Sequence, residues 1–212
     1  PATGEILAMV GSRDYFDTEI DGNVNVTLSH RQPGSSIKPI NYAVGLIKGY
    51  NGATPFIDSQ ICFPTNTGAK YCTVNYDGKW HGVTQMRFAL GNSINIPAIK
   101  MLKVNGIEAM IATASAMGIS TFTDPDRYGL SLTLGGGEVT MLDMAQSYGV
   151  FANQGYKINL HPILKIINNH GPPHVESLIH IIESFQSSRT RRGVYWDKER
   201  HVWKVQVYLN RK

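Results

Sequence analysis

The feature that most restricts the fold is a turn that runs directly into a helix. Gln32-Pro33-Gly34 breaks the chain, and Ser35-Ser36-Ile37-Lys38-Pro39 follows at once, leading into the helical pattern of residues 40–49. Serine and proline are both tolerated at a helix start, so Ser35 lies at or near one. Residues 84–90, 96–104 and 106–117 read as further helices, broken at 91–95 and stopped by Gly118. Residues 3–12, an apolar run ending near Gly11, read as a buried strand. Residues 49–82, rich in Gly, Asn, Thr and Pro, read as a long loop.

Residues 130–137 form a tight glycine segment. After it, Thr140 and Asp143 have the spacing of a capping box, with Thr140 as N-cap. Met141, Met144, Ala145, Tyr148 and Phe151 fall on one helical face, which is expected to pack into the core. Near residue 171 the character changes. Gly171-Pro172-Pro173 reads as a linker, 175–185 as a short amphipathic helix, and 189–209 as an alternating β-hairpin. The expected organisation is a domain over 1–170, a linker with a short helix over 171–188, and a basic hairpin tail over 189–212.

Length and composition set the outer limits. The chain has 212 residues, 42% of them hydrophobic, which suits one domain with an appendage. No apolar run reaches the ~18 residues needed to cross a bilayer. Charge is uneven: residues 1–188 carry 12 Lys/Arg against 14 Asp/Glu, and residues 189–212 carry 8 against 2. The basic balance thus belongs to the tail, which suits either an anionic partner or a solvated hairpin. Cys62 and Cys72 are close enough in sequence to form a disulfide in an oxidising compartment, with two free thiols as the alternative. There is no CxxC and no HExxH, so a metal site has no support. The seven histidines are scattered and read as surface or polar-loop residues. Asn66, Asn75 and Asn92 read as loop residues with no functional signal of their own.

The chemistry is concentrated in two short patterns. Ser35 and Lys38 are three residues apart, which on a helix puts both side chains on one face. A serine hydroxyl needs an adjacent base, and a lysine can be that base if burial lowers its pKa. Ser93-Ile94-Asn95 lies on the break between two helices. Ser93 can relay a proton, and Asn95 can both donate and accept hydrogen bonds to an amide.

Four segments together resemble the transpeptidase domain of class A, bifunctional penicillin-binding proteins. They are Thr3-Gly4-Glu5-Ile6-Leu7-Ala8-Met9-Val10-Gly11, Arg31-Gln32-Pro33-Gly34-Ser35-Ser36-Ile37-Lys38-Pro39, Asn92-Ser93-Ile94-Asn95-Ile96-Pro97-Ala98, and Leu134-Gly135-Gly136-Gly137-Glu138-Val139-Thr140 with the helix after it. The resemblance implies an α/β, penicillin-binding-protein/serine β-lactamase-like transpeptidase fold, with a helical subdomain and an incomplete antiparallel sheet followed by the C-terminal β-hairpin, and it implies neither a metal nor an organic cofactor. It implies acyl transfer through a Ser35 acyl-enzyme, from peptidoglycan stem peptides ending in D-Ala-D-Ala to a neighbouring stem-peptide amine, and inhibition by β-lactams. Lys38 would be the base, Ser93 the proton donor to the leaving amine and Asn95 the substrate-orienting amide. Ser36, Gly136 and Gly137 would line the substrate site. A periplasmic or extracytoplasmic setting follows from the same resemblance, as do an upstream glycosyltransferase domain and a membrane anchor.

The family's third motif, Lys-Thr/Ser-Gly, does not occur in the sequence. The chain is therefore expected to be truncated before that motif, with an incomplete sheet and impaired turnover. The tail is similar to the first two strands of an AP2-type DNA-binding domain. That similarity implies, as an alternative, nucleic-acid contact through Arg191, Arg192, Trp196 and Trp203.

Overall fold

The computed structural model describes residues 2–64, 68 and 70–162, together with strands at 193–197 and 202–206; at residue 64 and in those two strands only the backbone is described. The chain divides into two compact units, one of residues 10–158 and one of residues 2–9 with 159–212. No helix of the described residues is long and apolar enough to cross a membrane.

The larger unit is built on helices. A 3-10 turn, Gly34–Ile37, passes straight into α1, Lys38–Ile47. The short α2, Met86–Gly91, precedes α3, Asn95–Asn105, and α4, Ile107–Met117, follows and ends at Gly118. A second 3-10 segment, Leu130–Leu134, leads to α5, Met141–Ala152. These helices follow the expected segments, because the apolar periodicity matches the buried positions. Ile37, Ile40, Leu102, Met110, Ala114 and Leu132 pack together at 0–1% exposure. A second cluster joins Tyr42 of α1 to Met86, Ala98 and Met101. Gly45 lets α1 and α3 approach closely: a Cβ there would lie 2.6 Å from Met101 Sδ.

Buried amides tie the same helices together. Asn41 Nδ2 donates to Ala98 O and to Thr133 Oγ1, both at 2.9 Å. Asn105 Nδ2 donates to Asn41 O and Asn41 Oδ1, both at 2.8 Å. Buried polar groups of this kind stabilise only when paired, and so they fix which residues face each other.

The sequence and the structure part in four places. Among the described residues, 3–12 carry no assigned strand: Glu5 makes a parallel bridge to His161, and Val10 is 74% exposed. An apolar run shows that a segment can be buried, not that it is. Second, the expected loop of 49–82 contains strands β1, Pro55–Asp58, β2, Cys62–Pro64, and β3, Lys70–Cys72. With β4, Gly82–Gln85, they make two antiparallel pairs, β1 with β4 and β2 with β3. Cys62 lies opposite Cys72 in the second pair, and the two are joined as a disulfide. Third, Thr84 and Gln85 belong to β4 rather than to the helix after it. Fourth, the Met and aromatic stripe of α5 is largely solvent-facing. Met141 is 52% and Phe151 43% exposed, while Ser147 and Val150 are buried.

Thr140 caps α5 as expected, accepting the Asp143 N–H at 3.0 Å. The Asp143 carboxylate does not close the box. It accepts instead from Ser120 N and Ser120 Oγ, at 2.9 and 2.8 Å.

In the smaller unit, the Glu5–His161 bridge is accompanied by a hydrogen bond from His161 N to Gly4 O at 2.7 Å. Strands β5, Gly193–Asp197, and β6, Val202–Gln206, pair antiparallel, with Trp196 opposite Trp203. The expected hairpin thus has its ladder, shorter than the 189–209 span. Arg191, Arg192 and the segment 171–188, expected as a linker with a short helix, lie outside the described residues, as do the side chains of Trp196 and Trp203.

Candidate active site

Ser35 stands in the 3-10 turn and Lys38 is the first residue of α1, so one continuous helical run carries both. The Lys38 backbone N–H bonds to Ser35 O across that turn. Ser35 is exposed, and Lys38 is 1% exposed.

The Lys38 side chain points into the join between α2 and α3. Nζ donates to Ser93 O at 2.6 Å, Ser93 Oγ at 3.1 Å and Asn95 Oδ1 at 2.8 Å, and lies 3.5 Å from Ile94 O. Ser93 has φ 55°, a left-handed conformation that is uncommon for a non-glycine residue. That conformation turns both the carbonyl and the hydroxyl of Ser93 toward the same ammonium. Asn95 opens α3.

Burial holds the Lys38 pKa down at about 8. Removing an ammonium from water disfavours its charged form. The positive N-terminal ends of α1 and α3 act in the same direction. None of the ion pairs among the described residues includes Lys38, so no carboxylate counters the effect. Lys38 is thus a cation close to neutrality, held by three oxygens.

The structure therefore brings together Lys38, Ser93 and Asn95. Ser35 lies one turn earlier on the same helix, and its Oγ makes no hydrogen bond among the described residues. Of the residues expected to line a substrate site, Ser36 donates from Oγ to Pro33 O at 2.7 Å and accepts at its carbonyl from Tyr148 Oη at 2.8 Å. Gly136 is exposed, and its N–H bonds to Ser131 O. Gly137 is buried, and a Cβ there would lie 2.7 Å from Phe122 Cε1 and 2.9 Å from Leu132 Cδ1. Gly137 therefore serves packing. A cleft of about 310 Å³ runs beside the turn that carries Ser35, bordered by Arg31, Pro33, Ser36, Val139 and Met144, and Lys38 does not line it.

Asn75 was not legible as part of this site. It is 4% exposed, and its Oδ1 accepts the Asn95 N–H at 2.9 Å. The only available signal was a lone asparagine in a segment read as loop. Among the described residues no group of three or more His, Cys, Asp or Glu could hold a metal ion.

The fold is that of penicillin-binding-protein transpeptidase domains: the solved penicillin-binding protein 1A of Haemophilus influenzae superposes with a TM-score of 0.61 at 31% identity, over 66% of this chain and 21% of that one. A penicillin-binding protein 2 structure from Pseudomonas aeruginosa gives 0.63 at 22% identity, over 82% of this chain and 50% of that one, and supports the fold alone. The model of the penicillin binding protein transpeptidase domain matches residues 1–191, and the chain belongs to that family. Penicillin-binding protein 1A of Neisseria flavescens is 36% identical over 171 residues, 80% of this chain. That of Aquifex aeolicus is 33% identical over 190 residues, 89% of this chain. The chain spans 21% and 25% of the length of those two relatives.

Proposed function

We propose that this chain carries out serine acyl transfer on peptidoglycan stem peptides, as a D,D-transpeptidase domain that β-lactams acylate. The observation that carries this reading is Lys38: a nearly fully buried lysine with its pKa lowered to about 8, one helical turn from an exposed serine. In its neutral form Lys38 accepts the Ser35 Oγ proton as that oxygen attacks the carbonyl between the two D-alanines. The C–N bond of the tetrahedral intermediate then breaks, and Ser93 Oγ, 3.1 Å from Lys38 Nζ, passes a proton to the departing amine. A neighbouring stem-peptide amine reverses these steps and takes the acyl group. The Ser35 backbone N–H supplies one oxyanion donor.

Asn95 takes a different first role from the substrate-orienting one expected. Its Oδ1 accepts from Lys38 and its Nδ2 donates to Val74 O at 2.8 Å. One lone pair and one N–H remain for a substrate amide. The Cys62–Cys72 disulfide suits an oxidising, extracytoplasmic setting. A membrane anchor and a glycosyltransferase domain are proposed for the parent protein on the likeness to penicillin-binding protein 1A.

Labelling with a fluorescent penicillin, followed by intact-mass measurement, tests this reading. A covalent adduct that disappears in Ser35→Ala supports acyl transfer. No adduct after prolonged incubation with the folded chain would reject the function.

A further inference from the structure

A line of hydrogen bonds runs from Lys38 through the half-buried Asn95 and the buried Asn75 to a buried carboxylate that the acyl-transfer chemistry does not use. Asn95, whose Oδ1 receives the Lys38 ammonium, is held twice from residues 74 and 75. Its backbone N–H donates to Asn75 Oδ1 at 2.9 Å and its Nδ2 donates to Val74 O at 2.8 Å. Asn75 is held in turn. Its Nδ2 donates to Asp58 Oδ1 at 3.0 Å, Asp58 Oδ2 at 2.8 Å and Lys79 O at 2.8 Å. With the oxygen accepting from Asn95 and the nitrogen donating to a carboxylate, the carboxamide has a single workable orientation.

Asp58 closes β1 and is 0% exposed. A buried carboxylate is costly unless its oxygens are bonded. Here Oδ2 accepts from His81 N at 2.9 Å and meets His81 Nδ1 at 2.6 Å, besides both bonds to Asn75. No Lys or Arg of the described residues pairs with it. The carboxylate is therefore satisfied by the groups that fix residues 75 and 81. Its bonds orient Asn75, and through Asn75 they set where α3 begins.

We propose that Asn75, clamped by Asp58, is a positioning residue that holds Asn95 against Lys38. This rests on the reading of Lys38 as the base, and it assigns the segment between β3 and β4 a part in the site. Asn75 touches no reacting atom; it acts by fixing the N–H of the residue whose carboxamide binds the ammonium.

The test reads Lys38 directly, without catalysis. The chain is labelled with 13Cε-lysine, the Lys38 signal is assigned by its loss in Lys38→Gln, and its pH titration is followed by NMR. Asn75→Ala and Asn95→Ala should each move the Lys38 midpoint in the same direction by about half a pH unit or more, and the double variant should move it no further than Asn95→Ala alone. Asp58→Asn, which keeps the shape of the side chain, should move it the same way by less. Three results would overturn the proposal: an unmoved midpoint in Asn75→Ala, an unmoved midpoint in Asn95→Ala, or effects that add in the double variant. Should Asn75→Ala fail to fold, Asp58→Asn decides, and an unchanged midpoint there counts against it. Penicillin labelling of the wild-type chain is scored separately, so coupled midpoints without an adduct would sink the functional reading and leave this one standing.

Discussion

A Cβ placed on Gly135 would lie 2.3 Å from the backbone nitrogen of Gly34. The glycine segment after the Leu130–Leu134 turn thus presses against the residue that precedes Ser35. Gly135 also has φ 95°, a conformation that side chains resist.

Gly135→Ala must therefore displace the turn that carries Ser35. It should cost about 1–3 kcal/mol of stability and lower the penicillin acylation rate by about tenfold or more, because a 1 Å misplacement can cost ~10². Gly149→Ala is the contrast. Gly149 lies inside α5 with open space where a Cβ would go, so that change should raise stability by about 0.5–1 kcal/mol and leave acylation unchanged. Thermal melts and labelling rates check both.

The pH dependence follows from Lys38. A base with a pKa of about 8 is mostly protonated at pH 6–7. The acylation rate should rise about tenfold per pH unit there and level off above a midpoint near 8. Stability has its own sign. The folded pKa lies below the unfolded 10.5, so the charged form is disfavoured by folding. The cost, roughly 3 kcal/mol, is fully present below pH 8 and disappears as pH rises from about 8 to 10.5. Denaturation of wild type and Lys38→Met across that window should show the difference narrowing.

Ser93 allows backbone and hydroxyl to be separated. With φ at 55°, Ser93→Gly relieves a strained conformation and Ser93→Ala keeps it. Glycine should be the more stable by roughly 1 kcal/mol. Both variants lose the hydroxyl at 3.1 Å from Lys38 Nζ, and both should acylate about 10²-fold more slowly. Equal melting temperatures, or an unaffected rate, would contradict these roles.

Cys62 and Cys72 close a short loop across β2 and β3, with a sequence separation of 10. Opening a loop of that size removes up to about 3 kcal/mol. Hydrogen exchange after reduction should show faster opening at 62–72 and a smaller change in α3, whose Lys103 lies over the Phe63 ring but whose buried Ala98, Met101 and Leu102 pack in the helical core.

The helical scaffold was readable because Ile37, Ile40, Ile99 and Leu102 recur at helical spacing and are all buried. The Ser35–Lys38 and Ser93–Asn95 patterns were readable because spacing on one helix, or at one break, needs no tertiary information. The β1–β4 and β2–β3 pairs were not, since three- and four-residue strands carry too few alternating positions to separate them from loop. Asn75 and Asp58 were hidden for another reason. Their significance is a contact across 17 residues between side chains that are individually common in turns. The α5 stripe misled because amphipathic spacing shows that a face is apolar, not that anything covers it.

Lys38 takes its oxygens from residues 55 and 57 positions further along the chain. No local stretch of polypeptide can supply that environment, so a lysine of this acidity exists only after distant parts of the sequence have come together. Covalent capture of the neighbouring serine by a penicillin thus doubles as a gauge of maturation: it would count only those molecules in a preparation, or in a cell, that have finished folding.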